Sequence, residues 1–181
     1  MKIWKRNSVP LPAAVLVVRV EGFRSHPYRD SSGVWTIGCG ATREADGSAV
    51  TASTTPITLE QAHLLCQRDL QGAATDLGRL VRVVIDEGQA AALISWVYNL
   101  GQPRVTNSTL LWRLNNGQSD AVPAEFAKWN LIDNVPSLGL TRRRWAEAAV
   151  CQGADPDKAC DTAWAHIINV NQWPAFDLVY T

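Results

Sequence analysis

The sequence predicts an α+β fold: a small antiparallel sheet lobe, a larger helical lobe, and a long helix joining them. Three observations carry this. Residues 23–42 show the partial alternation and glycine punctuation of a β-hairpin. From Thr58 onward the chain repeats helix-start signals and stays helical in pattern. No repeat, low-complexity tract or long linker divides the 181 residues, so 1–181 is read as one domain.

Residues 10–22 read as an apolar helix closed by Gly22. Its apolar stretch follows the basic Lys2, Lys5 and Arg6 and so faintly imitates a secretory signal. It is interrupted by Pro10 and Pro12, lacks a small-residue cleavage site, and falls far short of the roughly 20 residues that span a bilayer. The expectation is a structural helix, with neither export signal nor membrane anchor. The sheet lobe occupies 23–57, with Asp30-Ser31-Ser32-Gly33 as the hairpin turn and 43–57 as a polar loop or irregular third strand. Gly38 and Gly40 allow close backbone approach, as at a bulge or a ligand cleft.

Thr58-Leu59-Glu60-Gln61 has capping-box spacing and opens a bridging helix predicted over 58–84. Asp86 to Gln89 repeats the signal at the head of the 85–181 helical lobe, before a helix over 90–100 that Gly101 stops. Ser108 or Thr109 caps a short helix to Asn116, and further helices are expected near 120–130, 137–151 and 157–169.

Composition excludes several classes. A 46% hydrophobic content and eight tryptophans exclude a disordered chain; most of the tryptophans belong in the core, with one or two available for stacking on sugar rings. Zero formal charge supplies no field toward polyanions, so nucleic acid is not an expected partner. The four cysteines are too few for a disulfide framework. Reduced thiols are the favoured reading, and Cys151 with Cys160 is the pair close enough in sequence to bridge in an oxidising compartment. The three histidines are isolated and no CxxC spacing occurs, so neither metal nor cofactor is expected.

Chemistry concentrates in one segment. Glu21 ends an apolar helix, Asp30 follows nine residues later at a polar turn, and Thr36 six residues after that. A half-buried carboxyl beside a helix C-terminus favours the protonated form that a general acid needs. A carboxyl at a turn rich in backbone amides favours the ionised form, and a threonine hydroxyl between them can orient water. Two carboxyls in opposite states are what glycoside hydrolysis requires. Taken singly, Glu21 is as well read as a surface residue beside a glycine and Asp30 as a turn former; the conjunction points to a glycosidase.

Residues 21–42 resemble the signature of the phage-type lysozymes, the T4-lysozyme-like muramidases of glycoside hydrolase family 24. That pattern runs Glu-Gly, Tyr-x-Asp, then Gly-x-x-Thr-Ile-Gly-x-Gly-His-Thr. The likeness continues through 57–62, through the run from Gln89 to Gly101, through 108–117, and through Gly139-Leu140-x-x-Arg143-Arg144-x-x-Glu147, where it is closer to lambdoid-phage endolysins. It implies a lysozyme-like two-lobed fold. It also implies Glu21 as general acid, Asp30 as the second carboxylate and Thr36 as the hydroxyl that positions water. Substrate contacts are implied for Arg143, Asn99 and Gly38. Arg144 and Glu147 are equally well read as an intrahelical ion-pair network, and Asn99 as a packing residue.

The implied reaction is inverting hydrolysis of the β-1,4 bond between N-acetylmuramic acid and N-acetylglucosamine in peptidoglycan, without metal or cofactor. The implied setting is a monomer held in the host cytoplasm and released to the wall through a holin-type membrane protein. A lytic transglycosylase and a silent wall-binding module are the alternatives. One departure stands out: Ala41 occupies the usual histidine position, which calls into question the hydrogen bonding that ties the hairpin to the helices.

Overall fold

The computed structural model describes residues 2–30 and 32–180, the side chain of Tyr180 excepted. Helix α1 (Leu11–Glu21) follows Pro10 at its N-cap, carries Pro12 in its first turn and ends at Gly22, whose φ of +88° turns the chain out and whose N–H donates to Val18 O at 3.0 Å. Ala13, Ala14, Leu16, Val17 and Val18 are buried. The helix is therefore a packed element of the core, lying against α2 (Leu59–Asp69), α4 (Glu87–Leu100), α8 (Leu138–Cys151) and α9 (Pro156–His166).

Two residues later the chain enters β1 (Arg24–Arg29), paired antiparallel with β2 (Trp35–Gly38) in the register Arg24↔Gly38, Tyr28↔Thr36 and Arg29↔Trp35. The register shifts between Arg24 and Tyr28, around Pro27, which has no N–H for a ladder. Ser31, expected in the turn, lies outside the described residues. Residues 43–57 form no named strand; a bridge between Arg43 and Ala49 closes a short irregular loop.

The expected 58–84 helix is two helices. Thr58 and Gln61 form the capping box of α2 (Leu59–Asp69), and α3 (Gln71–Leu80) follows after Leu70. Leu70 stays right-handed (φ −76°, ψ −8°), so the direction changes without an extended break. The run then stops short of Val84 because Val81 is extended (φ −86°, ψ 127°); Val81, Val83 and Val84 are β-branched and weak helix formers. Asn115 holds this end, donating to Leu80 O at 2.9 Å and accepting from Arg82 N at 2.7 Å.

Helix α4 (Glu87–Leu100) carries the expected Asp86–Gln89 capping box, is buried without interruption from Ala90 to Val97, and is closed by Gly101 at φ +81°. Around it lie α5 (Gln102–Val105), α6 (Thr109–Asn115) and α7 (Val122–Glu125), the last flanked by 3-10 turns where one helix over 120–130 was expected. Pro123 allows only a helix start there. An unexpected hairpin follows: β3 (Leu131–Ile132) and β4 (Val135–Pro136) joined by Asp133 and Asn134, both at positive φ. Helices α8 (Leu138–Cys151) and α9 (Pro156–His166) complete the lobe; α9 ends before 169 because Ile167 is extended (φ −97°, ψ 97°).

Two cores result. The large one unites α1, α3, α4, α8 and α9; the small one contains Ile37, Ala41, Val50 and Leu65. Helix α2 belongs to both, through Cys66 in the large core and Leu65 in the small one. Ala41 is 2% exposed, and its backbone closes a tight turn with Ile37 (Ile37 N to Ala41 O 2.9 Å, Ala41 N to Ile37 O 3.0 Å). The hairpin is tied to the helices without a histidine. Arg68 of α2 donates to Glu44 O at 2.6 Å and Arg43 O at 3.0 Å, and Ile57 N donates to Ser25 O at 2.9 Å.

Ala41→His should therefore destabilise the protein by about 1–3 kcal/mol, because an imidazole overfills this small core. Urea unfolding measures it, and a variant at least as stable as the parent contradicts the assignment.

Candidate active site

Glu21 is the last residue of α1, at the boundary between helix and hairpin. Its side chain is 37% exposed, and its Oε1 accepts from Arg143 Nη1 at 2.6 Å. The half-buried carboxyl expected from sequence is thus present, and it is held in an ion pair that the sequence reading did not foresee. Arg143, on α8, has no other freedom. Its Nε donates to Glu147 Oε1 at 3.1 Å, and its Nη2 donates to both the carbonyl and the hydroxyl oxygen of Ser95 at 3.3 Å.

Glu147 is 0% exposed and gathers three donors: Arg143, Ser95 Oγ at 2.7 Å and Arg144 Nη1 at 2.6 Å. Arg144 also donates to Asn99 Oδ1. Two guanidinium groups thus face two carboxylates. Burial works against the charge on Arg143, but Glu147 and Glu21 outweigh it and hold its pKa above the ordinary arginine value. At Arg144 burial wins, helped by the neighbouring charge of Arg143, and its pKa is lowered. The three- and four-residue spacing on α8 forms the expected intrahelical network, and Ser95 and Asn99, one turn apart on α4, complete it from across the packing interface.

The hairpin holds the other two groups through one residue, Val34. Asp30 Oδ1 accepts from Val34 N at 2.9 Å and from Ser32 N at 2.8 Å, while Thr36 Oγ1 donates to Val34 O at 3.0 Å. Asp30 and Thr36 are therefore fixed by opposite ends of one amino acid. Arg29 stiffens the turn, donating to Gly33 O at 2.6 Å and stacking over the Trp35 ring at 4.6 Å. Thr36 as a residue is 2% exposed and its hydroxyl proton is engaged, so the hydroxyl oxygen is left with acceptor capacity only.

The remaining expected contacts divide. Asn99 lines a cavity of about 640 Å³ with Arg104, Lys128, Trp129 and Leu140, although its amide oxygen is committed to Arg144. Gly38 (φ +68°) is buried against α2: a Cβ there would lie 3.4 Å from Ile57 and 3.5 Å from Ala62. Its close approach is to protein, not to an open cleft.

Two features were missed. Tyr98, beside Asn99, lines a cavity of about 370 Å³ with Gly40, Thr42, Arg68 and Asp69. Burial, then Cys66, Cys39 and Glu21, push its phenol up to about 12, so it is a neutral hydrogen-bond donor. Cys39 and Cys66 hydrogen-bond across the hairpin–α2 contact, which lowers Cys39 and raises Cys66. Tyr98 could have been read from the run Trp96-Val97-Tyr98-Asn99; the thiol contact joins residues 27 apart and has no local signal. All four cysteines are free, and burial pushes Cys151 and Cys160 up to about 12.

A model of the phage lysozyme family matches residues 18–147, from just before Glu21 to the last residue of the buried ion network. The chain belongs to the phage lysozyme family. The endolysin of Acyrthosiphon pisum secondary endosymbiont phage 1 is 35% identical over 144 residues, covering 77% of this chain and 94% of that protein. The SAR-endolysin of Enterobacteria phage PA-2 is 31% identical over 132 residues, covering 73% of this chain and 77% of that protein. Among solved structures, a mutant of P22 lysozyme superposes with a TM-score of 0.71 at 32% identity, covering 80% of this chain and 98% of that one. Phage lysozymes are glycoside hydrolases, and the α+β two-lobed architecture agrees with that assignment.

Glu147→Gln should cost this lysozyme about 3–5 kcal/mol, because it leaves buried guanidinium charge uncompensated. Denaturant unfolding measures the change; a cost below about 1 kcal/mol is incompatible with a buried pair of this kind.

Proposed function

We propose that this phage lysozyme is an endolysin that hydrolyses the β-1,4 bond between N-acetylmuramic acid and N-acetylglucosamine in peptidoglycan. Glu21 is the general acid, giving its proton to the glycosidic oxygen as the bond breaks. Arg143 then stabilises the carboxylate left behind and keeps it from swinging out of the cleft. Asp30 accepts the proton of the attacking water, and Thr36 Oγ1 accepts that water's other hydrogen. The water attacks the face opposite the departing oxygen, so the sugar anomer inverts.

The observation that carries this reading is the double anchoring of Asp30 and Thr36 on Val34, which keeps a carboxylate and an acceptor hydroxyl in fixed relation where the turn meets the Arg29–Trp35 strand pair. A lytic transglycosylase has no use for that pair, since it activates no water.

Glu21→Gln should fold normally and clear cells roughly 10²–10⁴-fold more slowly, the size of a lost general acid. Chromatography and mass analysis of digested peptidoglycan should give reducing ends that disappear in this variant. Anhydro ends, or undiminished cleavage by the variant, rule the mechanism out.

We further propose that the enzyme works as a monomer that gathers in the host cytoplasm and reaches the wall only after a holin-type protein opens the membrane. Among the described residues no helix is long and apolar enough to cross a membrane, which supports this over tethering. Expression without such a partner should leave a monomer by size exclusion in the cytoplasmic fraction. Spontaneous lysis with protein in the periplasm would falsify the proposal.

A further inference from the structure

Trp112 is unlike the packed tryptophans. It is 57% exposed on α6, whereas Trp96 and Trp145 are fully buried. Among the described residues its ring stacks on no other aromatic and its indole N–H has no hydrogen-bond partner. It borders a cavity of about 270 Å³, large enough for one sugar ring, whose rim also carries Arg82, Thr106, Asn107 and Asn116.

The polar groups at this rim have unspent capacity. The Arg82 guanidinium and the Asn107 amide make no side-chain hydrogen bond among the described residues, although Arg82 N is held by Asn115. Asn116 donates through Nδ2 to Trp112 O at 2.7 Å, which leaves its amide oxygen free. Thr106 is engaged with Gln102 and only fills the wall. No carboxylate lines the cavity.

An exposed indole face beside planar amide and guanidinium groups matches a pyranose. The apolar C–H face of the sugar covers the ring, and hydroxyl and acetamido groups satisfy the paired donors and acceptors. Unopposed Arg82 adds a partner for a carboxylate, such as the lactyl group of a muramic acid. The cavity shares no residue with Glu21, Asp30 or Thr36 or with the cavity beside Asn99, but α5 and its C-cap link the two: Arg104 lines the one and Thr106, the C-cap residue, the other.

We propose that Trp112, with Arg82, Asn107 and Asn116, forms an accessory saccharide-binding site that holds an N-acetylated glycan strand while the catalytic cleft works. The choice of sugar rests on the muramidase reading; the chemistry of the site does not.

The test uses full-length Glu21→Gln protein, so that the probe survives, labelled with 15N at its eight tryptophans. Tri-N-acetylchitotriose and isolated peptidoglycan glycan strands are titrated in, and Trp112→Phe identifies the Trp112 indole signal. The expected result is a saturable shift of that signal. In sedimentation with insoluble peptidoglycan, retention should fall about three- to tenfold in Trp112→Ala and recover in Trp112→Phe, the size of one lost aromatic contact. Because the ring is exposed, these variants leave the core intact. A Trp112 signal unmoved by both probes, with unchanged sedimentation, overturns the site even if the wild type clears cells. A shifted signal in a wild type that never clears cells supports the site and overturns the muramidase reading instead.

Discussion

The site depends on one buried cation. Arg143 reaches from α8 to the end of α1, to the carbonyl and hydroxyl of Ser95 on α4, and to Glu147 on its own helix. A guanidinium offers five N–H groups in a fixed fork, so it can hold several elements at set angles at once, which an ammonium on a flexible stem cannot. Burying such a charge is costly unless carboxylates surround it. Glu147 and Glu21 meet that demand, and Glu21 is thereby held at the junction of helix and hairpin. The packing of three helices and the placement of the candidate acid are one event.

The sheet lobe solves a different problem. Two short strands are marginal alone, and this hairpin has only a handful of core side chains. It gains rigidity from backbone closure at Ile37 and Ala41, from Arg29 clamped over Trp35, and from Arg68, which reaches from α2 to two loop carbonyls. Helix α2 joins the two cores, since adjacent residues Leu65 and Cys66 enter different ones. The Cys39–Cys66 contact crosses from the hairpin to that helix, and Tyr98 lies at its side.

Much of this was legible in the chain. The capping boxes at Thr58 and Asp86, the stop at Gly101 and the hairpin turn are local: each follows from a few adjacent side chains competing for backbone hydrogen bonds. The carboxyl–carboxyl–hydroxyl spacing was legible for the same reason, because Asp30 and Thr36 are set by the turn between them. Other features were not. The break at Leu70 is set by packing rather than propensity, and the β3–β4 hairpin carried only a short Asp-Asn signal. Gly38 illustrates the limit: its need for glycine was visible, but whether the close neighbour is ligand or α2 was not.

The sequence by itself determined the family, the α+β order of elements and the three groups offered for catalysis, since these are written in residue types at short separations. Only the tertiary structure decided the environment of those groups. Glu21 and Arg143 stand 122 residues apart, and no local rule makes them partners. Their contact exists because α1 and α8 both pack around α4, and that packing is settled by the whole apolar surface of the chain at once. The same holds for Ala41: the local motif expected a histidine, and the residue is buried in the small core with Ile37, Val50 and Leu65.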